Sequence, residues 1–442
     1  MLVVMAMQIL TRLVDTHWPD VISWTAMAGT LALAGRSIRR REAYLLTLCA
    51  IAALALLRLH ADPPAAFAAA LGQGAFLMAF ILFLGLLYEA AVTSPSIAKV
   101  GPWLTGQPPG RRYVALFTGT GILAVLFNAG ILSVLVPLVQ RSTRHAAPDA
   151  PQAALRERRQ MTAILRGFAW SVVWSPTALA PLLMADLVPA IDRKAWMAYG
   201  LVVFVLVLGL GALEDRLRVR RRVAETLEPG EPLSRDAAAG LVGASGALIA
   251  IALGTMWLTG ESMAFGLMIA CPLMLVGWTA LQNGPAPCGR AATRQRLADV
   301  VGGLPDTLPL AITLASAGIF GRSAAELLPA VGLSDALGVA EVPDAALLAT
   351  IPPVLALVSL TGISPIMMAV FLGSMLGGMA TLPADPTLLA LSISCGWALA
   401  MIFSPLSTPA LLLNRISAVP ALTLTWRWNL LFSLIVVLGL PF

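Results

Sequence analysis

Apolar runs long enough to cross a lipid bilayer recur along nearly the whole chain, and this fixes the solvent the protein folds in before any motif is considered. A hydrocarbon layer of about 30 Å takes about 20 helical residues at 1.5 Å each. The strongest runs cover 19–36, 42–59, 66–91, 195–213, 236–259, 262–282, 304–320 and 428–441. Between them lie four interrupted apolar segments, 113–140, 161–185, 345–380 and 387–414. A soluble chain of 442 residues would need a polar exterior, which 58% hydrophobic and 12% charged residues do not supply. The expectation is an all-α polytopic protein of the plasma (cytoplasmic) membrane, with the lipid bilayer as its surroundings.

The net charge of +6 sits in short arginine clusters between apolar runs, with no RNA-binding or zinc pattern beside them. It therefore reads as positive-inside topology and excludes nucleic acid as a partner class. Cys49, Cys271, Cys288 and Cys395 are scattered without metal-ligand spacing, and the phosphate-binding word G-x-x-x-x-G-K-S/T does not occur. Residues 1–18 are apolar but interrupted by Gln8 and Arg12, with no small-residue cleavage signature after them. They are expected to form a retained N-terminal interfacial segment.

Arginine counts give the orientation. Arg36 and Arg39–Arg41 place the end of the first run in the cytoplasm, as do Arg216, Arg218 and Arg220–Arg222 for the 195–213 run and Arg290, Arg294 and Arg296 for the 262–282 run. The stretch 323–344 instead holds Glu326, Asp335, Glu341 and Asp344 and reads as external. By the same count, 113–140 has basic flanks on both sides (Lys99, Arg111, Arg112; then Arg141, Arg144, Arg156, Arg158, Arg159), so it enters and leaves from the cytoplasm. Acidic flanks put both ends of 345–380 outside. Each is expected to be a re-entrant hairpin, the alternative for 113–140 being one long span.

The two halves match in their interruptions. The first tip reads Phe127-Asn128-Ala129-Gly130-Ile131-Leu132-Ser133 and the second Ser359-Leu360-Thr361-Gly362-Ile363-Ser364-Pro365. In the other interrupted pair a glycine lies eight residues before the serine of an aromatic-Ser-Pro word, 167 to 175 and 396 to 404. Pro176 and Pro405 cannot donate an intrahelical hydrogen bond and open the helix. Opened backbone in hydrocarbon must face protein, water or ligand. The predicted organisation is two inverted repeats, 19–213 (hairpin 113–140, broken helix 161–185) and 236–442 (hairpin 345–380, broken helix 387–414), joined by a cytoplasmic linker 214–235.

Half-helix N-termini at such breaks favour a carboxylate or oxyanion, and C-terminal carbonyls with side-chain oxygens favour sodium. Candidate substrate-binding residues are Asn128, Ala129, Gly130, Ser175, Thr177, Thr361, Gly362, Ser407 and Thr408. Candidate sodium ligands are Asn128, Ser133, Ser175, Thr361, Ser364 and Ser404. Glu89 and Asp306, at the ends of apolar runs, are candidate proton carriers or interface residues. Arg166 is expected to snorkel toward the cytoplasmic surface, and Trp170, Trp174 and Trp397 are candidate cavity walls or packing residues.

These tip and break words, inversely arranged, resemble those of the ion transporter superfamily, particularly divalent anion/sodium symporters and related dicarboxylate and citrate carriers. Asn128 matches the tip asparagine; Phe127 and Ala129 stand where that family has serine and threonine, and Thr361 stands where the second asparagine would fall. The resemblance implies a secondary active transporter of a small, organic anion, sodium or protons as coupling ion, an elevator-like alternating-access mechanism and a homodimer, with no other cofactor and no enzymatic activity. Alternatives are a cation/proton antiporter using membrane carboxylates, or a membrane enzyme acting on a lipid-linked substrate.

Overall fold

Proline and short polar caps decide where many of these helices begin. In the computed structural model, Asp62 caps a helix opening with Pro63 and Pro64, and Asp385 caps another opening with Pro386, its Oδ1 accepting from the N–H of Thr387 and Leu388 at 2.9 and 3.0 Å. Ser234 and Ser262 accept in the same way from Ala237 and Phe265. The structure describes residues 1–36, 38, 40–146, 150–188, 190–219, 234–330, 342–377, 379 and 382–440. The expected linker falls outside the described residues over 220–233, and the acidic external stretch does so over 331–341.

The first half holds α1 (Leu2–Leu13), α2 (Trp18–Leu33), α3 (Arg40–Leu59), α4 (Pro63–Val92), α5 (Pro95–Thr105), α6 (Pro109–Phe127), α7 (Gly130–Ala146), α8 (Ala150–Ser171), α9 (Leu179–Leu187) and α10 (Arg193–Val219). The second holds α11 (Arg235–Thr259), α12 (Met263–Asn283), α13 (Pro287–Gly303), α14 (Leu308–Ala330), α15 (Asp344–Val358), α16 (Pro365–Gly377), α17 (Pro386–Phe403), α18 (Thr408–Ser417) and, after a π-turn at Thr423–Arg427, α19 (Trp428–Gly439). Eight helical stretches among the described residues are long and apolar enough to cross a bilayer. The outward faces are apolar too: on α11, Val242, Trp257 and Leu258 are more than 70% exposed. The protein is an integral, multi-pass, all-α membrane protein, with lipid covering surfaces that water would not.

Packing repeats between the halves. The arm α6 lies on α8, and α15 lies on α17. Across the halves, the short segment α9 packs on α16 as α18 packs on α7; α3 packs on α14 as α12 packs on α4; α8 and α17 touch each other. This reciprocity is the contact pattern of an inverted repeat, and it explains the paired glycines. A Cβ on Gly167 would collide with the Phe117 carbonyl on α6, and one on Gly396 would press on Pro352 and Leu355 of α15. Each glycine lets a broken helix lie against the first arm of its own hairpin.

Some details differ from expectation. Two helices fall where loops were expected: α5, begun by Ser94 and Pro95 and, at 11 residues, too short to span, and α13, which runs through a 3-10 turn at Leu304–Thr307 into α14. The segment assigned to an interface forms α1, which packs against α2, α4 and α12 and buries Val4, Met5 and Gln8, the Gln8 amide donating to Ser23 Oγ at 2.9 Å. Arg166 does not snorkel. It is 2% exposed, donates to Asn429 Oδ1 at 2.7 Å and Tyr113 OH at 3.2 Å, pairs with Glu214 at 2.7 Å, and stacks 3.6 Å from the Phe432 ring centroid. Its partners come from α6, α10 and α19, helices whose approach no local pattern announces.

Candidate functional site

All four interruptions fall at the words that suggested them. After α6 the chain turns at Asn128, whose φ of 46° with ψ of −136° lies outside the left-handed helical well, in a region that favours glycine; its Oδ1 accepts from the Ala129 N–H at 2.7 Å. The second tip turns at Gly362, φ 92°, where any side chain would be strained. Helix α8 stops at Ser171 and resumes as α9 at Leu179; α17 stops at Phe403 and α18 starts at Thr408.

Hydroxyls tie each break to its own hairpin. Thr177 Oγ1 donates to the Val125 carbonyl at 2.9 Å, three residues before the tip asparagine, and accepts from Ser175 Oγ at 3.2 Å. In the other half Ser404 Oγ donates to the Ser359 carbonyl at 2.9 Å, three residues before Gly362. These bonds satisfy last-turn carbonyls that a helix end otherwise leaves open.

Between the tips and breaks lies a cavity of about 100 Å³. Its lining includes Asn128 and Ala129 ahead of α7, Ala178 and Leu179 at the start of α9, Ser364 and Pro365 at the start of α16, and Ser407 and Thr408 at the start of α18. Four half-helix N-termini therefore meet on one space, each carrying N–H groups without intrahelical acceptors and the positive end of a helix dipole. Ser364 and Ser407 accept from Met367 N and Ala410 N; Ala178 has no side-chain oxygen to do so and leaves the first turn of α9 open. Apart from Ser171, whose hydroxyl donates to the Phe168 carbonyl at 2.7 Å, the rest of the wall is apolar, with Ile81, Phe168, Val172, Leu310, Leu314, Trp397 and Met401.

Of the predicted residues, Asn128, Ala129, Ser364, Ser407 and Thr408 line this cavity. Gly130 opens α7 beside them against the Tyr88 ring. Ser175, Thr177 and Ser404 are buried in the break-to-hairpin bonds rather than in the lining, and Ser133 lies one turn along α7 outside it. Thr361 is exposed and donates back to the Val358 carbonyl at 2.8 Å, while Gly362 faces Tyr44 and Leu406. Of the three tryptophans, Trp397 lines the cavity; Trp170 is buried, and Trp174 packs edge-on against Phe204 at 5.5 Å between centroids. Glu89 accepts from Arg296 of α13 at 2.6 Å, Asp306 is exposed in the turn before α14, and neither lines the cavity.

Arg41 escaped the sequence reading. Counted there only toward topology, it reaches from α3 to Thr408 Oγ1 at 3.5 Å, bringing a guanidinium to the second break. Nothing local separates it from its neighbour Arg40; only the contact does. No group of three or more His, Cys, Asp or Glu able to hold a metal occurs among the described residues.

The fold is that of a polytopic membrane protein with two hairpins and two broken helices around a central cavity. In that respect the chain is similar to the crystal structure of the YdaH transporter of Alcanivorax borkumensis, with a TM-score of 0.52 and 16% identity over 91% of this chain and 99% of that one. A second solved structure, MtrF of Neisseria gonorrhoeae, described as illuminating a class of antimetabolite efflux pumps, aligns with a TM-score of 0.48 and 13% identity over 82% of this chain and 78% of its own. No family model and no curated protein matches the sequence.

Proposed function

We propose that the protein is a secondary active transporter of a small organic anion with an apolar body, working by elevator-like alternating access. The observation that carries this is the meeting of four half-helix N-termini on a cavity whose remaining wall is apolar but for Ser171. Backbone N–H groups and dipoles suit a carboxylate or other oxyanion, and the aliphatic and aromatic wall suits the rest of the molecule. The YdaH fold, solved for a transporter, agrees with this reading.

In this mechanism α6–α10 and α15–α19 form the unit that carries the cavity, and α1–α4 with α11–α14 form the scaffold against which α16 slides on α14. Sodium or protons would couple the movement, with the side-chain oxygens of Asn128 and Ser364 in the cavity lining as the sodium candidates. A homodimer would hold the two scaffolds fixed in the membrane. The cation/proton antiporter alternative rests on Glu89 and Asp306, and their placement at helix ends away from the cavity favours the anion carrier.

The test is a thermal-stability screen of purified protein against mono- and dicarboxylates, sulfate and phosphate, in sodium and in potassium buffers, followed by uptake of the best stabiliser into proteoliposomes. An aromatic or branched carboxylate is expected to raise the melting temperature, and Asn128→Gly to reduce the rise while leaving the unliganded melting temperature in place. Stabilisation by cations alone, with no anion dependence, would overturn the reading.

A further inference from the structure

A second cavity, of about 70 Å³, lies on the other side of the first break. Pro176, Pro181 and Leu182 line it, together with Asp186, Arg193 and Trp196. The break thus separates two spaces: Ala178 and Leu179 face the anion cavity, and Pro176 faces this one. The walls are apolar apart from Asp186, Arg193 and the indole of Trp196. Asp186 Oδ2 and Trp196 Nε1 are both buried, and neither has a hydrogen-bond partner among the described residues. Ser262, in the turn between α11 and α12, presents its hydroxyl toward the carboxylate and favours its charged form.

Position makes this carboxylate odd. Asp186 sits in the last turn of α9, at the negative end of the helix dipole, where an anion is disfavoured. Its counterpart in the other half, equally far past the matching serine (175 to 186, 404 to 415), is Arg415, an exposed cation in the last turn of α18, as the dipole prefers. One repeat obeys the rule and the other breaks it, with the exception placed inside a cavity.

Other charges nearby are accounted for. Arg12 on α1 and then Arg193 on α10 act favourably on the carboxylate, and Glu261, which pairs with Arg12 at 3.9 Å, opposes it. Asp192 and Asp385 accept from the first N–H groups of α10 and α17, and the sequences of α16 and α17 contain no charged residue. A metal cation finds one carboxylate here and two N–H donors that repel it, far from the oxygen-rich shell that hard cations need. A proton needs only the one oxygen.

We infer that Asp186 is a proton-binding site on the moving unit, filled from the acidic face through the 70 Å³ cavity. The coupling role rests on the transporter reading; the proton site does not. A proton from the outer aqueous phase adds to Oδ2, giving a neutral carboxyl at the end of α9. After the unit moves, the carboxyl returns the proton to the cytoplasmic side. Because α9 runs from the anion cavity to Asp186 and packs on α16, discharging its far end alters the segment that holds the substrate.

Infrared difference spectroscopy of the purified, lipid-reconstituted protein during a pH titration decides this without any substrate. The wild type is expected to show a protonated-carboxyl C=O band that Asp186→Asn lacks and Asp192→Asn retains. Arg193→Gln, which keeps the carboxyl but removes the cation that lines the same cavity, is expected to move the midpoint of that band to higher pH, and it serves if Asp186→Asn does not fold. A band unchanged in Asp186→Asn, or a midpoint unmoved in Arg193→Gln, overturns the site. Proteoliposomes with entrapped pyranine, given an outward gradient of benzenesulfonate, which stays ionised and does not carry a proton across lipid, then test coupling: proton flux in the wild type that Asp186→Asn loses while benzenesulfonate exchange persists. Benzenesulfonate exchange absent even in the wild type counts against the transporter reading and leaves the infrared result standing.

Discussion

Arg166 offers the sharpest stability test. It is buried with its partner Glu214, whose side chain is 14% exposed, and the pair bridges α8 and α10 at 2.7 Å. Replacing Arg166 with methionine keeps the aliphatic stem and removes the guanidinium, leaving Glu214 charged, mostly buried and without its nearest cation. Breaking a buried pair in this way costs about 3–5 kcal/mol. The residual exposure of Glu214 argues for the lower half of that range, and the stacking on Phe432 adds about 0.5–2 kcal/mol at a site this dry. The hydrogen bonds to Asn429 and Tyr113 belong to the same network and are not added separately. A loss of about 4 kcal/mol lowers the melting temperature by roughly 5 °C in a chain this long, because the entropy of melting grows with length. The double variant Arg166→Met/Glu214→Leu removes both charges and is expected to recover at least half of the loss, since the carboxylate deprived of Arg166 is the largest part of it. Thermal unfolding of the two single variants and the double in one detergent gives the cycle. A double variant as unstable as the sum of the singles would refute the argument, and so would an Arg166→Met protein that melts with the wild type.

The remaining predictions concern the tips, the glycines, the interface pair and the topology. Asn128→Ala keeps a Cβ at φ 46° without the side-chain bond to Ala129 and is expected to lose about 1 kcal/mol, whereas Asn128→Gly loses little; equal melting temperatures for the two would contradict the strain reading. Gly167→Val drives a side chain into the Phe117 carbonyl and is expected to cost about 1–3 kcal/mol and impair folding, as seen in the yield of monodisperse protein; normal yield would mean that α6 and α8 lie further apart. The Glu89–Arg296 pair is partly exposed, so Glu89→Gln is expected to cost less than about 1 kcal/mol and leave the pH profile of transport unchanged; an altered profile would return Glu89 to the coupling role. With Cys288 replaced, Arg111→Cys and Arg141→Cys are expected to react with an impermeant thiol reagent from the same side of the membrane, because a hairpin joins them; labelling from opposite sides would make 113–140 a span.

The breaks were legible in the sequence because they are written in backbone chemistry. Pro176, Pro405, Gly362 and Asn128 each act within one turn of chain, and the helices end where those residues require. The same holds for the paired glycines, although their purpose appears only when Phe117 and Leu355 are seen across from them. What lay outside reach was any contact between distant helices. Arg166 and Glu214 are each unremarkable in their own segments, so burial in a shared network cannot be read from either. Thr361 shows a subtler limit: its place in the tip was clear, but the 3-10 turn at Ser359–Thr361 rotates its hydroxyl back onto Val358 and away from the cavity. Arg41 fails the other way, since one reach across to Thr408 separates a site residue from a topological marker.

The four N-termini around the cavity have one further consequence. At roughly half a unit charge each, they sum to a positive field of about two charges built from peptide groups. Peptide groups do not titrate, so the attraction for an anion persists from acid to alkaline conditions, and replacing any one side chain leaves most of it intact. Selectivity among anions is then free to drift through the apolar wall, while preference for negative charge is inherited with the backbone. Any dependence of the cycle on pH has to come from a group outside that field.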